Sequence, residues 1–476
     1  MDQTLYLFII TSLSILLLLV LVMKLKVHAF ISLLLASCFV GLASGMPFME
    51  LIGSLQKGMG DILGFITIVV GLGAILGKLL EVSGGAQTMA HFLIKGFGEK
   101  RTSWALMLTG FIVSIPVFLD VGFIILIPLV YALANKSGNS LLHYAVPLLA
   151  GMAVTHAFIP PTPGPVAVAE ILNAPLGWMI IFGVIVGLPC AILAGPVFGK
   201  YISKKIFVPV PSHIEFKDES SAKASKHDFY LIAFIIILPL LLILIATTSN
   251  LLVDTGYLNG ENYLLEVAQF LGHPFIALTI ATLVALYFLG YRKGYKAKQL
   301  LEFSDKALAP AGLIIVITGA GGMFKEILVQ SGAGEALAEV FIAYNVAPIV
   351  MAYLIAVVIR IIQGSATVAM VTAAGMISPI IIDMNISDPH KALIGIAIAA
   401  GACILSHVND SGFWLVKKYL DISEKETLQT WTTLETIISI THKYVCYETI
   451  LQCFKLYFSA IYTANGLSIF SEWDSR

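Results

Sequence analysis

Residues 156–169 read HAFIPPTPGPVAVA, and no other stretch constrains the fold as tightly. Apolar, helix-like sequence runs up to it from Tyr144 and away from it to Leu172. Between them stand Pro160, Pro161, Pro163, Gly164 and Pro165. Proline lacks an amide donor and clashes with the preceding turn, so no helix passes through such a cluster intact. Inside a hydrophobic span, bare backbone is tolerated only where it is buried in protein or lines a cavity. A helix broken at membrane depth is one way secondary transporters build a substrate site. The alternative is a plain extramembrane loop between two short helices.

The rest of the chain is apolar enough to make the first reading the better one. Its 476 residues are 58% hydrophobic and only 12% charged, with a mean hydropathy of +0.92. That leaves too little polar surface for a water-soluble protein of this size. Apolar runs of about 20 residues, the length that spans a bilayer, recur along the chain. The expected fold is therefore an all-α polytopic membrane protein. A formal net charge of −1 carries no nucleic-acid footprint. Cys38, Cys190 and Cys403 sit in apolar runs, with Cys446 and Cys453 near the end. Their spacing fits neither a disulfide framework nor a metal site, so they read as small core residues. No cofactor is expected: residues 319–322 lack the full G-x-G-x-x-G and its strand–turn–helix context, and no H-E-x-x-H occurs.

Lysine and arginine set the topology. Residues 5–23 are apolar and are preceded by Met1-Asp2-Gln3, with no basic n-region and no cleavage site, so they read as a first span. Lys24 and Lys26 follow, which puts that end in the cytoplasm. Further spans fall at 27–45, 62–80, 160–165 with its flanks, 176–199, 229–247, 274–290, 310–329 and 392–415, with hairpins at 104–134 and 349–382. Of 28 Lys and Arg residues, 20 then lie on the cytoplasmic side. Lys57 and Lys391 lie outside, Lys78, Lys325 and Arg360 within spans, and the other three after residue 440. The chain divides into a first transmembrane repeat (1–203), a cytoplasmic linker (204–228), a second repeat (229–440) and an atypical C-terminal segment (441–476).

A shift of 248 residues lays 64–94 on 312–342 without gaps. Gly64 meets Gly312, Gly71 meets Gly319, Gly73 meets Gly321, and Ser83-Gly84 meets Ser331-Gly332. By the charge count the first copy runs inward and the second outward. The expectation is two inverted-topology repeats, each with a re-entrant hairpin and an interrupted transmembrane helix. The paired glycines read as close helix packing. Symmetry sets the hairpin tip near Asp120 against the tip at 363–367, and the break at 160–165 against that at 406–412.

The polar residues in these places are the candidates for chemistry. Asp120, in PVFLDVGF, is an acid at membrane depth, which suits proton loading and unloading or else a hydrogen-bonded turn. Arg360 stands alone in MAYLIAVVIRIIQGSATVAM and pairs either with an acid such as Asp120 or with an anionic substrate. Gln363, Gly364, Ser365 and Thr367 offer an amide, hydroxyls and helix N-terminal donors to an anion, or else Ser365 and Thr367 are helix-packing residues. Thr162 and Gly164 add exposed backbone, and Asn409, Asp410 and Ser411 add polar groups in excess of what a lipid-facing helix carries. His156 and His407 are either proton shuttles or hydrogen-bonded structural histidines. Glu170 is a further buried acid or marks the outer end of its helix.

The strings HAFIPPTPGPVAVA, IPVFLDVGFIILIPLV, IRIIQGSATVAM and SHVNDSGFWLVKKYL together resemble the gluconate permease family of bacterial inner-membrane symporters. The resemblance covers about residues 5–440, in order. It implies proton-coupled uptake of gluconate or a related sugar-acid anion by a homo-oligomer in the bacterial inner membrane. Some relatives carry D-serine or other small hydroxy-carboxylates. A channel and a membrane-embedded enzyme are the alternatives of other classes. After Glu435–Ser439 the family continues with a long apolar helix, whereas here His442, Lys443, Glu448 and Lys455 interrupt it. That departure resembles a shifted reading frame.

Overall fold

A computed structural model describes residues 3–211, 226–254, 262–334, 336, 347–384 and 386–444. Most of the expected linker, and Glu448, Lys455, Cys446 and Cys453, lie outside those residues. Among the described residues the secondary structure is entirely helical. The first half holds α1 (Gln3–Met23), α2 (Ala29–Ala43), α3 (Phe48–Val82), α4 (Gly85–Phe97), α5 (Thr102–Val113), α6 (Leu119–Ser137), α7 (Leu142–Phe158), α8 (Pro163–Ile171), α9 (Leu176–Ile192) and α10 (Phe198–Lys205). The second holds α11 (Lys226–Asp254), α12 (Tyr263–Gly272), α13 (Pro274–Ala285), α14 (Ala297–Gln330), α15 (Pro348–Gln363), α16 (Ala366–Asp383), α17 (Asp388–Gly401), α18 (Ser411–Leu420) and α19 (Thr433–Tyr444). Seven helices among the described residues are long and apolar enough to cross a membrane. The chain is a multi-pass membrane protein.

The longest helices, α3 with 35 residues and α14 with 34, form the spine. At about 1.5 Å per residue each is about 50 Å long, well beyond the hydrocarbon thickness. Both were expected to be shorter. The polar turns before Ile62 and before Pro310 remain helical where the two helices lie against each other, with Lys57 Nζ meeting Glu326 Oε1 at 2.8 Å at one end and Leu308 against Gly71 towards the other. They run antiparallel and touch backbone to backbone. A Cβ on Gly58 would lie 2.5 Å from the Gly322 carbonyl oxygen, and one on Gly322 would lie 2.3 Å from that of Gly58. In lipid, such contact between small residues holds helices together through dispersion. Both helices end in the same way, with Ser83 and Ser331 followed by Gly84 and Gly332 at φ +74° and +73°. Only glycine takes that left-handed turn without strain. Of the other aligned glycines, Gly71, Gly319 and Gly321 pack closely, Gly73 is in ordinary contact with Pro161 of the first break, and Gly64 and Gly312 meet nothing within 4 Å.

The hairpin α15–α16 forms with its two helices packed on each other, whereas α5 and α6 are joined by a turn at 114–118 without packing side by side; both expected breaks form, at 159–162 and 402–410. The contacts between halves run crosswise rather than tip to tip and break to break. Gly164, in the first turn of α8, packs against the Met370 thioether on α16. On the other side, the Tyr131 hydroxyl of α6 donates to the Tyr419 carbonyl of α18. Each hairpin thus packs on the short helix of the opposite half. Its own tip is held close to home: Pro116 against Gly77 of α3, and Gly364 against Asn409.

Candidate functional site

The second break carries most of the polar candidates, and its conformation follows from its sequence. Once α17 ends at Gly401, the segment ACILSHVND offers hydroxyl, imidazole, amide and carboxylate groups that compete with backbone hydrogen bonding. Asp410 caps α18, its Oδ1 accepting from the Gly412 amide at 3.1 Å. Its Oδ2 accepts from Arg360 Nη2 at 2.7 Å and from the Ser406 hydroxyl at 2.5 Å. Ser406 in turn accepts from Trp431 Nε1 at 2.7 Å, and Thr432 donates to its carbonyl. Asn409 Nδ2 donates to the Ile361 carbonyl at 3.2 Å, and His407 Nε2 donates to the same oxygen at 3.0 Å. Those bonds cap the C-terminus of α15. His407 and Asn409 are thus both engaged by the end of α15.

The hairpin turn at Gly364 (φ +89°) allows this stitching, because a Cβ there would lie 2.4 Å from the Asn409 carbonyl oxygen. Arg360 is placed one turn earlier. It is 2% exposed and pairs with Asp410, not with Asp120. A backbone interruption displays Asp410 towards α15, whereas Asp120 lies in the first turn of α6 with its side chain exposed. Arg360 Nε and Nη1 are buried without a hydrogen-bond partner among the described residues, as is Gln363 Oε1. A buried guanidinium satisfied on one nitrogen of three is expensive to leave so.

Ser365 and Thr367 are half-buried beside this group, and Ser411 is exposed. Thr162 and Gly164 are buried instead: the Thr162 hydroxyl donates to the Ile159 carbonyl at 2.6 Å, and Gly164 is covered by Met370. The first half reaches the site through His156. Its ring stands edge-on to Phe118 at 6.2 Å, Nδ1 is buried without a partner, and it lies within Coulombic range of both Asp120 and Asp410. Glu170 belongs elsewhere, on the wall of a cleft of about 350 Å³ with Asn173, Asn250 and Gln269.

Sequence reasoning missed Trp431 and Glu435. Glu435 is 5% exposed, beside the Cys403 thiol and within Coulombic range of Arg360 and Asp410. The signal was the run TWTTLET after the basic end of α18, where polar and aromatic residues enter a helix that the expected topology left unassigned.

An all-helical bundle with several membrane-length helices and others broken at depth defines a class, the membrane transporters. Within that class the chain belongs to the GntP permease family, whose model, described as GntP family permease, matches residues 6–452. The match extends past residue 440. The chain is 42% identical over 443 residues to the gluconate permease of Pseudomonas aeruginosa, covering 92% of this chain and 96% of that one. It is 40% identical over 413 residues to the low-affinity gluconate transporter of Escherichia coli K12, with 87% and 91% covered. The Gnt-II system L-idonate transporter of the same organism is 39% identical over 415 residues, with 87% and 92% covered. Among solved structures, the YdaH transporter of Alcanivorax borkumensis shares the fold at a TM-score of 0.58 and 15% identity, covering 87% of this chain and 88% of that one. MtrF of Neisseria gonorrhoeae does so at 0.60 and 15%, covering 84% and 83%.

Proposed function

We propose that this protein is a proton-coupled symporter that carries gluconate or a closely related sugar-acid anion into the bacterial cytoplasm by alternating access. The observation that carries the reading is Arg360: buried, paired with Asp410 through Nη2 alone, with Nε and Nη1 free to bind a carboxylate. The relatives' names supply the sugar acid. A polyhydroxy chain on that carboxylate would find Gln363, Ser365, Thr367, Asn409 and Ser411 as hydrogen-bond partners. Thr162 and Gly164 would join only when α8 and α16 part, a motion of the kind alternating access requires.

The antiparallel α3 and α14, with their matching Ser-Gly ends, support two inverted repeats over 1–203 and 229–440. On the charge-derived topology, hairpin α5–α6 is re-entrant from the cytoplasm and α15–α16 from outside. The tip of hairpin α5–α6 then carries Asp120 to membrane depth, within Coulombic range of His156, on a path that opens to the cytoplasm. We assign the chain to the inner membrane, and the family resemblance favours a homo-oligomer. Competition in proteoliposomes tests the substrate: unlabelled gluconate and L-idonate should suppress labelled gluconate uptake, and D-serine in large excess should not. Suppression by D-serine alone would replace the sugar acid with a small hydroxy-carboxylate. An effect on conductance rather than saturable uptake would favour a channel.

A further inference from the structure

Three side chains on α19 share one buried face. Glu435, Ser439 and His442 follow at intervals of four and three residues, which stacks them along one side of a helix. They are 5%, 0% and 3% exposed. Their helix enters through a π-turn, Leu428–Thr432, whose Trp431 and Thr432 hold Ser406 of the substrate site. Opposite it, α15 presents Tyr353 and Arg360, seven residues apart and so on one face. The Tyr353 hydroxyl meets Ser439 Oγ at 3.0 Å, and its ring lies parallel to that of His442 with centroids 6.2 Å apart. Both nitrogens of His442 are buried without a hydrogen-bond partner among the described residues. A polar seam therefore lies between α15 and α19, with His442, Tyr353 and Ser439 at one end and Glu435, within Coulombic range of Arg360 and Asp410, at the other.

Lipid-embedded helices do not carry such a seam without cause, since every buried polar group forfeits hydration. The charges around Glu435 define what it can do. Arg360 and Asp410 face it from α15 and the second break, and Cys403 stands beside it. From α9, Cys190 lies near Cys403; α17 brings no ionisable group over residues 392–401; α7 meets the helix through Phe158 on His442. With Glu435 charged, one guanidinium faces two carboxylates, and an incoming anion meets a net negative site. With Glu435 protonated, the site is neutral and Arg360 turns Nε and Nη1 to the substrate.

We propose that Glu435 is a proton-binding residue of the transport cycle, loaded along the His442–Tyr353–Ser439 seam, and that its proton admits the anion to Arg360. The inference deepens the symporter reading and rests on it. On the charge-derived topology α19 runs outward, so His442 lies towards the outer face. The proton and the anion then bind together, with no bond made or broken beyond the O–H of Glu435.

The test is gluconate binding to the purified full-length protein as a function of pH, alongside transport in proteoliposomes. Wild-type affinity should fall about tenfold per pH unit above the Glu435 titration, because one proton is taken up with each anion. Glu435→Gln should bind within about threefold of the wild-type low-pH affinity, lose that pH dependence, keep gluconate exchange and fail to accumulate it uphill. Glu435→Asp should restore a pH-dependent affinity, and Asp120→Asn should leave the dependence in place. Wild-type pH dependence in Glu435→Gln would overturn the proposal. So would loss of binding at every pH in both Glu435 variants, which would mark a packing role. If wild type fails to accumulate under an imposed pH gradient while Glu435→Gln still removes the pH dependence of binding, the symport reading fails and the proton site stands.

Discussion

Arg360 holds two relationships at once, an ion pair within the protein and spare donors for a ligand, and substitutions separate them. Lysine keeps the charge but not the planar fork, so it cannot hold Asp410 and a carboxylate together. Arg360→Lys is expected to lower gluconate affinity by about tenfold or more, measured by binding to the purified protein. If the arginine served only to neutralise its partner, Arg360→Gln with Asp410→Asn would recover binding lost in the single variant, because the stranded buried charge is removed with it. The account predicts no recovery, and rescue by the double change would assign Arg360 a purely internal role. The partner was not readable from sequence. Arg360 and Asp410 are 50 residues apart, and the second break comes under α15 through the close approach of Gly364 to Asn409 and the bonds of His407 and Asn409 to the Ile361 carbonyl.

Among the elements, the breaks and hairpins were legible because their causes are local. Proline clusters stop helices wherever they occur, and QGSAT at 363–367 supplies the left-handed glycine that a tight helical hairpin needs. The full lengths of α3 and α14 were not legible, because their polar outer turns are held helical by each other rather than by hydrophobicity. The crosswise packing of hairpins on short helices also escaped: periodicity tells which residues are buried, not which helix buries them. Nor was α19 assigned, since its buried polar face breaks the apolar pattern that marks a span. The glycines offer a test of this packing. Gly364→Ala places a methyl group against the Asn409 carbonyl at positive φ, and should destabilise the protein by about 1–3 kcal/mol while lowering transport. Gly312→Ala, where nothing lies within 4 Å, should be neutral or stabilising by up to about 1 kcal/mol. Thermal unfolding in detergent compares them, and equal effects at the two sites would contradict the packing described.

At the scale of the whole molecule, two halves with antiparallel spines enclose a buried arginine, which on the proposed reading holds an anion only when nearby acid is neutral. Composition alone fixed the membrane setting, and the family relationship points to sugar acids. The joining of anion movement to proton movement is the central claim, because it explains why a negative site should contain the group that binds a negative substrate. It is tested most directly by uptake of labelled gluconate into proteoliposomes with an acidic exterior and alkaline interior. The account predicts accumulation above the external concentration, abolished when a protonophore dissipates the gradient, with gluconate exchange retained. Equal accumulation with and without the pH gradient would contradict it.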